Sequence, residues 1–194
     1  MELISVYCAL RELTPLYAVG DPAGEGWKGT PVKAEKKPKL DTFDIKLLKE
    51  LQSDASQPLE ELAGKVGLSP TATWRRVQKL ESSGAIRKRV AILDRELLNV
   101  GVTVFIAIRT NQHSADWLER FGAVVNSIPE IVDFYRMSGQ IDYLLKAHVS
   151  DLKSYDALYK KLIARIELTD VTSMFAIEEL KSTTEIPLNF VEHT

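Results

Sequence analysis

The chain has 194 residues, 45% of them hydrophobic, and a net charge of −2, which fits a soluble globular protein of one or two domains. Its single cysteine, Cys8, excludes an internal disulfide, argues against a metal cluster and fits a reducing cytoplasm. There is no apolar run of about 18 residues to span a membrane, so no membrane partner is expected. The near-neutral total hides an asymmetry. Residues 31–95 carry 14 Lys/Arg against 9 Asp/Glu, a net of +5, whereas residues 96–194 carry 9 against 14, a net of −5. A basic first half joined to an acidic second half suggests that one half meets a polyanion and the other does not.

Residues 1–40 read as a flexible N-terminal extension. "GDPAGEGWKGTPVKAEKKPKL" is rich in Gly, Pro and Lys with little apolar periodicity, and the apolar start lacks the basic n-region of a secretory signal. Residues 41–95 form the first folded block. Asp41 is a good N-cap for "TFDIKLLKELQSD", whose Phe43, Ile45, Leu47, Leu48 and Leu51 make one buried stripe. Pro58 opens "PLEELAGKV", with Leu59, Leu62, Ala63 and Val66 as its inner face. Gly67 supplies a turn, and Ser69-Pro70 starts a third helix that Gly84 ends. Three short helices with a tight turn between the second and third make a helix-turn-helix pattern. "AIRKRVAILD" then fits a strand or small wing, and "ELLNVG" a short helical linker.

Residues 96–188 alternate strand and helix signals, before a tail at 189–194. "VGVTVFIAIRT" is a buried strand, and "SADWLERFGAVVNSI" a helix capped by Ser114 with Trp117, Leu118, Phe121, Val124 and Val125 at helical spacing. "IVDFYRMSG" and "DYLLKAHVS" form a hairpin about a turn at residues 138–141. "DLKSYDALYKKLIARI" is a second helix and "VTSMFAIEELKST" a closing strand. The order β-α-β-β-α-β is the ferredoxin-like arrangement, an α+β fold whose sheet often leaves one face for a partner.

On the third helix, Trp74, Val77 and Leu80 point one way and are expected to be its core anchors. Thr71, Arg75 and Lys79, spaced i, i+4, i+8, form a ridge on the opposite side, with Ser82 beside them and Arg76 on the flank. Such a ridge suits the DNA major groove, where Arg or Lys meets guanine O6 and N7 and Thr meets a base edge or a thymine methyl. Ser69 and Ala72 at the helix start, Arg76 on the flank and the basic Arg87, Lys88 and Arg89 downstream are candidate contacts to phosphate. A solvated amphipathic face remains the alternative for the same residues.

These segments carry a family resemblance. "LD..D..LL..LQ.D" from Leu40, "VGLSPT....RV..LE..G.I" from Val66 and "SG..DYLL" from Ser138 closely resemble the leucine-responsive regulatory protein/asparagine regulator (Lrp/AsnC) family of prokaryotic transcription factors, over residues 40–188. The resemblance implies a winged helix-turn-helix domain that binds double-stranded DNA, followed by a ligand-sensing, oligomerising domain of the RAM or ACT-like type. It implies homodimers formed through the sheets, higher homo-oligomers, an amino acid as effector, and a cytoplasmic, nucleoid-associated protein. Effector contacts map to Met137, Ser138, Gly139 and Asp142, with Leu152, Thr172 and Met174 as walls. Gly139 lets backbone approach a small ligand and Asp142 can accept from an α-ammonium group, although "SGQID" also reads as an ordinary hairpin turn. Gln140 stands where many relatives carry an acidic residue.

Catalysis has little support. His113, His148 and His193 are scattered, and no partnered nucleophile, metal-ligand spacing or phosphate loop calls for a cofactor. Besides a DNA-binding regulator, a stand-alone metabolite-binding module and a small enzyme on a ferredoxin-like sheet remain to be separated.

Overall fold

Capping chemistry sets the helical elements of the first unit. The computed structural model describes residues 38–191, so nearly all of the expected extension lies outside the described residues. Helix α1 (Thr42–Ser53) starts on a reciprocal cap, in which Asp41 Oδ1 accepts from the amides of Phe43 and Asp44, and Asp44 Oδ2 accepts from the Asp41 amide. Helix α2 (Leu59–Val66) follows Pro58 and ends at Gly67, whose φ of 74° lets the chain reverse tightly. That φ is the left-handed region a side chain disfavours, and it lets the Leu68 amide reach Ala63 O at 3.0 Å. Helix α3 (Pro70–Ser82) begins with Ser69 Oγ accepting from the Ala72 amide and Pro70 at the first position. The three helices close on Leu40, Leu47, Leu62, Val66, Val77 and Leu80.

Two expectations for this unit need correction. Residues 85–94 contain no strand; the anticipated wing is an irregular segment with Val90, Ile92 and Leu93 well exposed. The segment after it, Arg95 to Asn99, is a turn rather than a helix. Secondly, the chain divides at Glu179 and not at 188. Residues 180–191 belong with the helical unit, where Gln52 exchanges two 3.1 Å hydrogen bonds with the backbone of Ile186 and Val191 packs against the core.

The second unit, Leu93–Glu179, contains strand β1 (Val102–Arg109), helix α4 (Ala115–Asn126), strands β2 (Ile131–Arg136) and β3 (Tyr143–Val149), helix α5 (Leu152–Ile163) and strand β4 (Asp170–Phe175). The antiparallel sheet runs β2-β3-β1-β4, the ferredoxin-like order. Period-2 alternation puts Val104, Ile106 and Ile108 of β1 beside Tyr143, Leu145 and Ala147 of β3 on one face. Trp117, Phe121 and Val125 of α4 and Tyr155, Leu158 and Leu162 of α5 pack over them. The other face carries Phe105, Ala107, Leu144, Tyr135, Thr172 and Met174, and no helix of this unit covers it.

At one end of that open face, Arg95 ties the inter-unit segment to the sheet. Its Nη1 donates to Thr103 Oγ1 (2.7 Å) and to His148 Nδ1 (3.2 Å), and its other terminal nitrogen pairs with Glu179. Burial, then the adjacent Arg95 and Lys146 cations, holds the His148 pKa below its ordinary value, so the ring accepts as a neutral imidazole. His148 is therefore a structural acceptor and needs no catalytic reading.

Candidate nucleic-acid interface and effector region

The rotation of α3 about its own axis decides which side chains face outward. Its buried residues are Thr73, Val77 and Leu80, an i, i+4, i+7 stripe. Trp74, expected among the anchors, is instead 54% exposed. Steps of three residues fall about 60° short of a full turn each, so the run 74, 77, 80 drifts around the helix. With the stripe centred near Val77 and Thr73, Trp74 lies about 80° from it, on the half-exposed flank of the helix. Trp117, by contrast, is buried as expected.

A salt-bridge clamp fixes that rotation. Arg76 Nη1 donates to Asp41 Oδ2 and to Asp44 Oδ1, each at 2.7 Å, across the contact between α3 and the start of α1. Asp44 is 1% exposed, so its charge is out of water and answered by Arg76, with Lys79 at 3.7 Å. The two carboxylate bonds hold the Arg76 pKa above its usual value. Burial pushes the Asp41 carboxyl up, but the Asp44 amide and Arg76 outweigh it and the net shift is downward. Arg76, expected to hold a phosphate, has its Nη1 engaged by two carboxylates within the domain. A polar residue on a buried stripe was the available signal, because Asp44, Leu47, Leu48 and Leu51 share one spacing.

The rest of the expected interface divides in the same way. Thr71, Arg75 and Lys79 are exposed, and among the described residues Arg75 has no acidic partner. Ser69 Oγ is occupied as the cap of the Ala72 amide. Downstream, Arg87 and Lys88 are exposed and unpaired among the described residues, whereas Arg89 bridges to Glu81 at 2.8 Å.

The expected effector residues do not converge within one chain. Met137, Ser138, Gly139 and Asp142 do form one turn at the β2–β3 end of the sheet, closed by the Met137 amide donating to Asp142 O at 2.8 Å. Gly139 has a φ of 123° and open space where a Cβ would stand. Asp142 Oδ2 accepts from the Thr110 amide at 2.8 Å, and Arg109 Nε donates to Gln140 O at 2.8 Å, so the turn is braced against the end of β1. Thr172 and Met174 lie on the open face of the edge strand β4, opposite Ala107 and Phe105. Leu152 is placed differently from the expectation. It follows the far end of β3, about 20 Å from the turn at the strand rise, and it is 68% exposed at the start of α5. A shallow depression of about 670 Å³ lies at the α5–β4 connection, lined by Tyr159, Ile163 and residues 164–171, and none of the expected effector residues borders it.

Comparison with known proteins decides the family. An AsnC-type helix-turn-helix domain matches residues 40–81, and an Lrp/AsnC ligand binding domain matches residues 103–186. The glutamate uptake regulatory protein of Zymomonas mobilis is 51% identical over 150 residues, 77% of this chain and 92% of that one. The chain belongs to the Lrp/AsnC family. The DNA-binding transcriptional activator DecR of Escherichia coli, at 44% identity, spans 77% of this chain and 99% of its own. A transcriptional regulator of Neisseria meningitidis, solved as a complex with L-Met, superposes with a TM-score of 0.74 at 34% identity, covering 78% of this chain and 98% of that one. The helix-turn-helix match lies within the helical unit, and the ligand-binding match covers most of the sheet unit and runs seven residues beyond Glu179.

Removing one partner of a desolvated ion pair leaves the other charge stranded. Arg76→Ala is expected to lower the stability of the helical unit by on the order of 3 kcal/mol, measured by urea denaturation of the full chain. An unchanged denaturation midpoint contradicts the clamp.

Proposed function

We propose that this Lrp/AsnC protein is a sequence-specific DNA-binding transcription regulator that reads the major groove with the outward face of α3. The observation that supports this best is the division of that helix. Thr73, Val77, Leu80 and Arg76 are committed inward, while Thr71, Arg75 and Lys79 are exposed on one ridge, Arg75 without an acidic partner among the described residues and Lys79 3.7 Å from Asp44. In this reading Arg75 and Lys79 donate to guanine edges and Thr71 meets a base edge or a methyl group. Arg87 and Lys88 hold phosphates and fix register. The family is one of transcriptional regulators, and the proposal contains no catalytic step.

The chain acts as a homodimer in this proposal, joined through the open sheet face. Tyr135 and Met174 there are about half exposed beside Phe105, Ala107 and Leu144, an apolar surface that a second sheet about 10 Å away would bury. Two recognition helices then address two half-sites about one DNA turn apart. An amino acid is the proposed effector, received at the β2–β3 turn. Because Met137, Gly139 and Asp142 lie far from Leu152, and Thr172 and Met174 lie on another strand, a complete pocket needs more than one chain.

The DNA reading is tested by fluorescence anisotropy with DNA from upstream of the chain's own coding region. Arg75→Ala combined with Lys79→Ala is expected to weaken binding by about a hundredfold or more, and wild-type affinity should fall steeply with salt. Unchanged binding by the double variant overturns the ridge assignment. For the effector, each amino acid is added in a thermal-shift series. A true ligand at a hundred times its Kd stabilises by about 2.7 kcal/mol. No shift with any amino acid, and no change in DNA binding, removes the sensing proposal.

A further inference from the structure

We infer that Trp74 is a base-reading residue, its indole ring lying against thymine methyl groups in the major groove. The inference rests on the proposal that α3 enters DNA, and adds a specificity determinant that the polar ridge lacks.

Three observations carry it. Trp74 is 54% exposed while the inner side of α3 is filled by Thr73, Val77 and Leu80, so the domain's core does not need the ring. Among the described residues no aromatic ring or cation stacks on it, although Phe43 on α1 receives both Lys46 and Arg76 over its face. Its position is the third. Trp74 follows Thr71 by three residues, precedes Gln78 by four and adjoins Arg75, so it sits at the edge of the exposed face and in the first half of the helix. The N-terminal part of a recognition helix is the part that meets base edges.

The chemistry of the neighbours then narrows the target. Arg75 and Lys79 are donors matched to guanine. Gln78, the side chain suited to adenine, has its amide nitrogen donating to Glu81 Oε2 at 2.9 Å. The indole Nε1–H could donate to a phosphate, but the broad apolar face of the ring has its complement in thymine, whose C5-methyl is the one apolar group on the major-groove floor. An indole beside Thr71 and Arg75, which has no acidic partner among the described residues, therefore favours sites where thymine neighbours guanine.

The test uses the full chain and a duplex that it selects from a random library. Each thymine of that duplex is replaced singly by uracil, which removes only the methyl group. Wild-type binding is expected to weaken about three- to tenfold at one or two positions. Trp74→Ala should bind the thymine duplex about tenfold more weakly and be indifferent to uracil at those same positions, with Trp74→Phe intermediate. Full uracil sensitivity in Trp74→Ala, or no sensitivity in the wild type, overturns the inference. So does a fall in oligomer mass on Trp74→Ala with uracil sensitivity retained, which assigns the ring to a protein contact. Failure of the wild type to select any duplex is a different result, since it removes the DNA proposal itself.

Discussion

A single guanidinium nitrogen bridging two carboxylates governs the DNA-facing half of this protein. The helical core is small, six buried apolar residues on three short helices and the segment before them. Apolar contacts of that kind are non-directional and tolerate some rotation of one helix against another. The bonds from Arg76 to Asp41 and Asp44 are directional, and Asp44 is buried. Breaking them strands a charge, so α3 is held at one angle about its axis. The same carboxylates cap the first turn of α1, which joins the start of one helix to the flank of another. Everything outward on α3 follows from that angle.

Much of this architecture was legible in the sequence because it depends on local chemistry. Asp41 and Ser69 cap their helices, Gly67 reverses the chain, and alternation in β1 and β3 gives the buried face of the sheet. What the sequence hid depends on contacts between distant residues. Adjacent arginines look alike in a string, and only the 35 positions separating Arg76 from its Asp41 partner tell them apart. Trp74 was misplaced because an aromatic at three-residue spacing from Val77 imitates a core stripe. The wing was misread because β-branched residues at 90 and 92 promote extended backbone without supplying a neighbour to pair with. Residues 180–191 look like a continuation of the second unit and are drawn to the helices by Gln52 and by burial of Val191.

The ligand-binding unit shows a different kind of incompleteness. Its hydrophobic core is finished on the helix-covered face, where Trp117, Phe121 and Val125 of α4 and Tyr155, Leu158 and Leu162 of α5 join the buried side chains of the sheet. Its open face is apolar and no helix of the unit covers it, which is what the proposed dimer would bury. Asp142 accepts the Thr110 amide on one carboxylate oxygen, which braces the turn against the end of β1. A braced, glycine-containing turn with no enclosing wall among the described residues supports the proposed site shared between copies. Effector binding and assembly are then linked equilibria rather than separate events.

In the proposed function two neighbouring arginines on α3 have opposite jobs, Arg75 facing DNA and Arg76 holding the helix. Arginine-selective chemical modification of the full chain, read residue by residue by mass spectrometry with and without a bound duplex, measures that division directly. The account predicts that Arg75 modifies readily in the free chain and is shielded by DNA, while Arg76 resists modification in both states. Equal reactivity of the two in the free chain, or shielding of Arg76 in place of Arg75, contradicts it.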